Sequence, residues 1–460
     1  MTPHPIPLPP LRGEGRERGT RGRMEEVGMA LPKMYRIRQR LDPPVVADVA
    51  TAVRAEIGRL GLQGRLKPGG RVAVTGGSRG VVNIAVILRA TCDVLKDLGT
   101  KPFIVPAMGS HGGATDEGQL AVLARYGVTP EHMGVPILSC METVEIGRMS
   151  WGLPVLVDRH AYEADHIVLV NRVKPHTNFR GHVESGLMKM LVIGLGKHQG
   201  ALLAHRAAVD VGLDRMVPEV GRFCLSRLPI LFGLGTVENA RHQTAMVRAM
   251  LPEELEAMEA QMLQEAWRLL GRIPFDFLHL LIVDEMGKDI SGTGMDPNVI
   301  GRMYFFPNDE PKSPRYVRIL VRDLTAKTAG NAVGMGLADF ATRRLVNKVN
   351  FHYTYTNALT GLSPMRSKMP IIFETDREAI EGALKTIGLT QAPDAKVARI
   401  RNTLALEYLQ ASEALLPCIR ERSDLAILEG PFEFRFSETG DLVDETPIPA
   451  EEHPMVGEGE

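Results

Sequence analysis

Short apolar runs followed by glycine-rich loops and amphipathic stretches recur along the first half of the chain. The apolar runs have the length and the flanking glycines of buried strands, and the stretches that follow have helical spacing. We predict three strand–loop–helix units, with strands and helices at 71–75 and 81–98, 102–106 and 115–126, and 167–170 and 200–211. This alternation favours a mostly parallel sheet with helices on both faces.

The alternation continues in the second half of the chain. We predict strands at 279–283, 316–321 and 369–373 and helices at 252–270, 330–346, 376–387 and 402–416. A chain of 460 residues exceeds the size at which one hydrophobic core is usual, so we expect two α/β domains with mostly parallel sheets. The active site is then expected in the interdomain cleft, at the carboxyl ends of the strands.

Local composition sets the predicted boundaries. Residues 1–34 are rich in Pro, Gly and Arg and lack apolar periodicity, which is typical of a disordered N-terminal extension. We predict a catalytic and cofactor-binding α/β domain at 35–228 and a C-terminal α/β domain at 229–437. Residues 438–460 are acidic and contain proline, and they are predicted to form a tail.

The overall charge and the cysteines narrow the range of partners. A formal net charge of −1 and an aromatic content of 5% favour neither nucleic acid nor an anionic membrane as a partner. No apolar run has the length of a membrane-spanning helix. The cysteines form no CxxC pair and suggest no disulfide framework, so we predict a cytoplasmic protein. They are Cys92, Cys140, Cys224 and Cys418.

Each of the three predicted units has a candidate functional residue in its loop. Arg79 lies in GGSRG, His111 in GSHGG and His176 in KPH. Ligands of parallel sheets bind beyond the carboxyl ends of the strands, so we expect these residues at one rim. Backbone amides up to Ser78, together with Arg79, could hold a phosphate at the start of the next helix. A tight turn with a surface arginine is the alternative.

Two histidines are candidates for proton transfer. Glycines on both sides of His111 leave its ring uncrowded, whereas a structural histidine usually has bulkier neighbours. Pro175 fixes the approach of the chain to His176, which suits a residue held in place for acid or base chemistry. The alternatives are a polar loop residue for His111 and a cap of the strand end for His176.

The segment 171–206 contains further candidates. Lys189 lies between apolar residues, and desolvation lowers the pKa of an amine toward nucleophilic use. The alternative is a lysine that extends out of an amphipathic segment into water. His198 and His205 share one face if their helix is continuous, and either imidazole can bind a transition metal. No HExxH motif or cysteine pair completes an ordinary zinc site.

The second domain offers polar residues that could bind a substrate across the cleft. The candidates for contact with a carboxylate or a hydroxyl group are Lys288, Asp289, Asn298 and Arg302. A solvated loop explains these residues almost as well.

The order of these motifs resembles that of the nickel-dependent lactate racemase family over residues 71–210. GSH, which ends at His111, is similar to the family's first catalytic loop, and KPH, which ends at His176, is similar to its second histidine motif. SGLMK, which ends at Lys189 and is followed by IG, is similar to its lysine motif. Arg79 falls where the family has a D-x-T-R turn.

The resemblance implies a cofactor and an anchor for it. The cofactor would be a nickel pincer nucleotide, the pyridinium-3,5-bisthiocarboxylic acid mononucleotide of nickel, tethered covalently through Lys189. The family's spacing from the lysine to its metal-binding histidine selects His205 and leaves His198 in reserve. Ser78 and Arg79 would bind the nucleotide.

The resemblance also implies a reaction and partners. A 2-hydroxy acid would be racemised or epimerised between His111 and His176, with removal of the hydroxyl proton as hydride passes to the pyridinium ring. Lys288 and Asn298 would bind this small anionic substrate. Proteins that make and insert the cofactor would be the macromolecular partners.

The sequence departs from the family at several positions. Gly76 stands in place of an acidic residue, Gly112 in place of an arginine and Leu187 in place of a glycine. These differences indicate a divergent branch, and two other functions stay open. One is another metal-dependent lyase, dehydratase or isomerase of hydroxy acids on the same fold. The other is a non-catalytic binder of an anionic metabolite.

Overall fold

The computed structural model describes residues 29–77, 80–305, 310–443 and 448, so most of the predicted N-terminal extension and acidic tail lies outside the described residues. The strands are β1 Met34–Gln39, β2 Arg71–Gly76, β3 Lys101–Pro106, β4 Thr143–Arg148, β5 Pro154–Asp158, β6 His166–Arg172, β7 Ile230–Glu238, β8 Thr244–Met250, β9 Phe277–Met286, β10 Arg315–Leu324, β11 Phe340–Thr342, β12 Ile371–Phe373, β13 Val397–Ile400, β14 Tyr408–Ser412, β15 Leu425–Phe432, β16 Arg435–Phe436 and β17 Leu442–Val443. The helices are α1 Val49–Arg59, α2 Ile84–Asp97, α3 Asp116–Arg125, α4 Pro130–Met133, α5 Arg159–Tyr162, α6 Leu187–Lys189, α7 Lys197–Val211, α8 Leu213–Arg227, α9 Leu255–Leu269, α10 Pro297–Ile300, α11 Arg343–Val346, α12 Phe351–Thr360, α13 Asp376–Leu384 and α14 Leu416–Arg420. Within the described ranges, no helix is long and apolar enough to cross a membrane.

The first sheet has the strand order β3-β2-β6-β7-β8, in which the first four strands are parallel and β8 runs antiparallel to β7. Successive apolar residues of a strand point to opposite faces, so each face has its own core. On β6, for example, Ile167 and Leu169 belong to one buried cluster and Val168 and Val170 to another. Such burial on both faces is the reason that these strands read as continuous apolar runs.

The second sheet has eight strands in the order β12-β11-β10-β9-β13-β14-β1-β15. The strands from β12 to β13 are parallel, and β14, β1 and β15 extend the sheet in antiparallel pairs. Leu281 and Val283 of β9 face one buried cluster, and Leu280 and Ile282 face the other. The predicted α/β class with mostly parallel sheets is therefore confirmed.

The sheets do not divide at the predicted domain boundary between residues 228 and 229. β7 begins at Ile230 but hydrogen-bonds to β6, so the strands of the first sheet continue to Met250. β1, near the start of the described chain, lies in the second sheet between β14 and β15. The N-terminal strand thus crosses to the later half of the chain, where it pairs antiparallel with β14 on one side and with β15 on the other.

Two predicted helices are wrong. The range 330–346 contains a 3-10 turn at Met335–Leu337 and the short β11 and α11, because Gly330 and Gly334 have left-handed φ angles of 82° and 104° that interrupt a helix. The range 402–416 contains β14, which pairs with both β13 and β1. A short apolar run fits a strand or a helix equally well, and here the two open strand edges decide between them.

Gly233 of β7 marks the place where the first sheet touches the helix that carries Lys189. A Cβ atom at Gly233 would lie 2.7 Å from Leu187 Cδ1 and 3.1 Å from Leu255 Cδ1. We predict that Gly233→Ala lowers the free energy of unfolding by about 1–3 kcal/mol, since buried leucines must shift. Denaturant unfolding of Gly58→Ala is the control, because nothing lies within 4 Å of a Cβ at that helical glycine. An unchanged midpoint for Gly233→Ala would show that the contact is loose.

Candidate active site

The loops after β2, β3 and β6 open onto one cleft, which residues connected to the second sheet close from the other side. His111, His176, Lys189, His205 and Lys288 all line this cleft. Sequence reasoning expected His111 and His176 at one rim together with Arg79, and Lys288 across the cleft, and the structure brings all five of these lining side chains to one cleft. Their chemical roles stay predictions. Ser78 and Arg79 lie outside the described residues, between Gly77 and Gly80.

Lys189 and His176 are in direct contact. Lys189 Nζ lies 2.5 Å from His176 Nε2. The other ring nitrogen, Nδ1, accepts a hydrogen bond of 3.0 Å from the backbone N–H of Asn178. Behind the ring, the backbone N–H of His176 donates to Glu184 Oε2 at 2.6 Å. Burial raises the pKa of Glu184, although the backbone hydrogen bonds oppose this effect. Every polar position of His176 named here therefore has a defined partner.

Arg366 fixes the His176 loop from the side of the second sheet. Its guanidinium donates to Thr177 O, to Asn178 Oδ1 and to Met303 O, each at 2.8 Å. The side chain is 1% exposed, and burial lowers its pKa to about 10. A guanidinium with five donors in a fixed fork can hold a loop in one conformation, which a lysine cannot.

Arg180 fixes the same loop at its other end. It donates to the carbonyl of His176 at 2.8 Å and to Asn298 Oδ1 at 2.5 Å, and its guanidinium stacks on the Trp267 ring. Asn298, a predicted substrate residue, is thus placed behind the His176 loop and is not among the described residues that line the cleft. Its assignment as a substrate residue stays a prediction.

The turn that carries Lys189 is wound tightly around a buried carboxylate. α6 leads directly into a π-helical turn at Met190–Gly194. The backbone N–H of Met188 donates to Glu259 Oε2 at 2.8 Å, and Glu259 Oε1 has no hydrogen-bond partner among the described residues. A Cβ atom at Gly186 would lie 2.4 Å from that Oε1, so a glycine is required there. Burial raises the pKa of Glu259 to about 7.

The His111 loop rests on a second buried lysine. Lys197 Nζ donates to Pro106 O at 2.9 Å and to Gln119 Oε1 at 2.5 Å, and it lies 3.6 Å from Asp158 Oδ2. Gln119 Nε2 in turn donates to the carbonyls of Gly109 at 2.9 Å and of His111 at 3.3 Å. Burial lowers the pKa of Lys197 and raises that of Asp158. This network joins the His111 loop to the start of α7.

α7 is continuous from Lys197 to Val211, so His198 and His205 lie two turns apart on one face and both line the cleft. Among the residues that the structure describes, no group of three or more His, Cys, Asp or Glu side chains is arranged to hold a metal ion. A metal in this cleft would therefore need donors that come with a bound group.

The cleft is cationic. Lys288 Nζ donates to Gly292 O at 2.6 Å and to Asn357 Oδ1 at 2.9 Å, and these two hydrogen bonds hold its ammonium group at the wall of the cleft. Lys174 also lines the cleft, and so does Arg172, whose charge is paired with that of Glu238. None of the described lining residues is an aspartate or a glutamate, so Lys174 and Lys288 leave the lining with a positive charge. Such a surface attracts anionic ligands.

Sequence reasoning missed the residues that hold the site in place. Lys197 stands next to His198 in GLGKHQG, and a lysine among glycines between two apolar stretches was the available signal. Glu259, Gln119 and Arg366 are far from the motifs in sequence, and no local pattern marks them. Their functions depend on contacts that only the folded chain creates.

Glu259 predicts a dependence of stability on pH. Its pKa rises from the usual 4.5 to about 7 on folding, so between these values the folded protein keeps a proton that the unfolded chain releases. The free energy of unfolding should fall by up to about 3 kcal/mol as pH rises through this window. Glu259→Gln should remove this loss and be more stable than the wild type at pH 8, as measured by urea unfolding from pH 5 to pH 8. The control is Glu254→Gln, at an exposed position before α9. Parallel curves for wild type and Glu259→Gln would contradict the assignment.

Comparison with known proteins finds a family match over the segment that contains Arg79, His111, His176, Lys189 and His205. Residues 30–213 match the family model described as the lactate racemase N-terminal domain. In structure, the chain is similar to the lactate racemase apoprotein from Thermoanaerobacterium thermosaccharolyticum, with a TM-score of 0.49 and 13% sequence identity, over 80% of this chain and 94% of that chain. No curated protein matches the sequence significantly.

Proposed function

Residues 30–213 match the model of the lactate racemase N-terminal domain, and on this basis we propose that this protein is an isomerase that racemises or epimerises a 2-hydroxy acid. We propose further that it uses a nickel pincer nucleotide, tethered to Lys189 and bound through nickel by His205. The observation that best supports both proposals is the single cleft lined by His111, His176, Lys189 and His205.

The side chains of the cleft fit this group on the chemistry of their donors. A pincer ligand brings most of its own metal donors, so the protein needs to supply one histidine and one anchor. His205 and Lys189 line the same cleft, and the described part of the chain has no cluster of three or more metal-binding side chains. An independent zinc-type site on protein ligands alone has less support.

Proton transfer is the task of the two histidines. When bound, the nickel nucleotide supplies the hydride acceptor and the metal, and the protein supplies binding, orientation and proton transfer. His111 follows β3 and His176 follows β6, so the two rings approach the cleft from separate loops. One imidazole can remove the proton of a substrate hydroxyl group and later return it, and the other can act for the opposite stereoisomer.

Binding of the substrate anion is the task of the cationic wall. Lys288 is the proposed contact for the carboxylate, since its two hydrogen bonds hold the ammonium group in place. Asn298 would act through Arg180, which connects it to the backbone of His176. Ser78 and Arg79 are proposed to bind the nucleotide phosphate next to Gly77, which lines the cleft.

We also propose the partners and the location. The partners are a small anionic hydroxy acid and the proteins that make and insert the nickel nucleotide. Cys92, Cys140, Cys224 and Cys418 form no disulfide, which supports a cytoplasmic protein.

Loading of the cofactor is the first test. Protein co-expressed with cofactor-making enzymes should contain nickel, and the peptide with Lys189 should show a mass increase in mass spectrometry. Lys189→Ala should lose the adduct, whereas Lys288→Ala should keep it, because that lysine is assigned to the substrate. Wild-type protein that carries neither nickel nor an adduct would refute the proposed cofactor.

Racemisation of 2-hydroxy acids by the loaded protein is the second test. We predict that His111→Ala and His176→Ala each lower kcat by about 10²–10⁴-fold, since each removes a proton-transfer group. Lys288→Met should act mainly by raising KM. His182→Ala is the control, because His182 is exposed and pairs with Glu256 away from the cleft.

The same variants separate the other two functions. An enzyme that uses another metal would lose activity in His111→Ala and His205→Ala but keep it in Lys189→Ala. A binding protein would be stabilised thermally by an anionic metabolite and would show no turnover in any variant. Either result would replace the proposed racemase.

A further inference from the structure

We propose that His176 holds Lys189 as an unprotonated amine in the protein without cofactor, so that Lys189 is a nucleophile before any group is bound. The inference concerns the proton between two side chains. It depends on the hydrogen bonds around the His176 ring, and it rests on the proposed function only for what the amine would attack.

The Asn178 backbone decides which ring nitrogen of His176 carries a proton. A backbone N–H can only donate, and that of Asn178 points at His176 Nδ1 at 3.0 Å. Nδ1 must therefore accept, which means that it carries no hydrogen. A neutral imidazole then has its proton on Nε2, the nitrogen that lies 2.5 Å from Lys189 Nζ.

Only one protonation state of Lys189 satisfies this arrangement. An ammonium group has no lone pair and would need Nε2 as an acceptor, which would leave both nitrogens of a neutral imidazole without the required proton. An imidazolium would place an N–H of its own against the Asn178 N–H. A neutral amine, by contrast, accepts the Nε2–H of His176 with its lone pair. The two hydrogen bonds together thus select a neutral Lys189 and a neutral His176.

The charges around the pair favour the same state. Like charges and desolvation both disfavour an ammonium ion, and the cleft wall supplies cations. The carboxylates packed against the two loops, Glu184 and Glu259, accept hydrogen bonds from backbone N–H groups and do not line the cleft. Among the described residues that line the cleft, the other ionisable groups are His111, Lys174, Lys288, His198, His205, Arg366 and Arg172, and the last of these forms an ion pair with Glu238.

Two other lysines of the site show the opposite pattern. Lys288 Nζ points at two oxygen atoms, Gly292 O and Asn357 Oδ1, which can only accept. Lys197 Nζ likewise donates to Pro106 O and to Gln119 Oε1 and lies next to the carboxylate of Asp158. Oxygen acceptors retain an ammonium ion, and an Nε2–H donor opposes one. The described contact of Lys189 with His176 is therefore of a different kind from these contacts of Lys288 and Lys197.

An unprotonated amine can attack an electrophilic carbon without first releasing a proton to solvent. The class of ligand that fits is an anion that also carries a protonated carboxyl or thiocarboxyl group, because the cationic wall would bind its charge. The amine nitrogen would form a C–N bond to that carbon, the bond to the departing oxygen or sulfur would break, and the departing group would leave with the amine proton as water or hydrogen sulfide. His176 would then act twice, first as the positioning residue that keeps the tether reactive and later as the proposed acid or base. These two functions occur in sequence, so one side chain can supply both.

The test measures the protonation of individual lysines in protein made without nickel and without cofactor-making enzymes. Each lysine is labelled with a trace of isotopic acetic anhydride at pH 8 and at pH 10, and the labelled peptides are quantified by mass spectrometry. An ordinary lysine should react roughly 70-fold faster at pH 10, since its pKa is about 10.4. The exposed Lys101 serves as this reference. Lys189 should rise less than about twofold, because it is already neutral at pH 8. The ratio for one residue cancels its accessibility.

The variants assign the effect to His176. In His176→Phe the ratio for Lys189 should increase by at least about tenfold toward that of Lys101, since the donor is gone. His182→Phe, the same substitution at an exposed histidine of the same loop, should leave the ratio unchanged. A wild-type ratio for Lys189 equal to that of Lys101 overturns the proposal, and this holds even if His176→Phe does not fold. A low ratio in both wild type and His176→Phe overturns the role of His176.

The result is independent of the racemase proposal. A neutral Lys189 in protein that takes up neither nickel nor an adduct would support the inference and refute only the proposed cofactor.

Discussion

Lys189 and His176 meet at 2.5 Å because two loops, each fixed from behind, bring them to the same point. Glu184 and Arg366 hold the loop of His176, and the carboxylate of Glu259 holds the turn of Lys189. At this distance Lys189 Nζ and His176 Nε2 share one hydrogen bond, so only one of the two nitrogens can donate a proton to the other. The surrounding backbone decides which of the two nitrogens is the donor, because the Asn178 N–H occupies the other ring nitrogen of His176.

Buried charge is the means by which the site is held. Taking a charged group out of water is costly unless hydrogen bonds replace the lost hydration, and each buried group here has such bonds. Lys197 donates to Pro106 O at the end of β3 and lies next to Asp158, and Arg366 donates to Thr177 O in the loop of His176. The cleft itself is left with an excess of positive charge. That excess suits an anionic substrate and a nucleotide, and it also favours a neutral amine.

The order of elements around the site was largely predictable, because buried parallel strands are recognisable in the sequence as apolar runs that end in glycine. The strands before Gly77, His111 and His176 follow this rule, and all three were predicted. The rule failed where a short apolar run was compatible with both a strand and a helix. The pattern of β14 predicts a helix, but the segment forms a strand because it pairs with β13 and β1. These hydrogen bonds are long-range in sequence, and no local pattern encodes them. The position of β1 within the second sheet could not be predicted for the same reason.

The sequence by itself determined the α/β class, the three strand-end loops and the residues that could do chemistry, since these follow from local periodicity and from the residue types. It left open whether Lys189 extends into water or into the site. Only the tertiary structure placed Lys189 against His176, turned the Nδ1 of that ring toward the Asn178 N–H, and put Glu259 under the turn. The physical reason is that the proton of a histidine and the charge of a lysine depend on partners distant in sequence, which only the packed chain brings within hydrogen-bond distance.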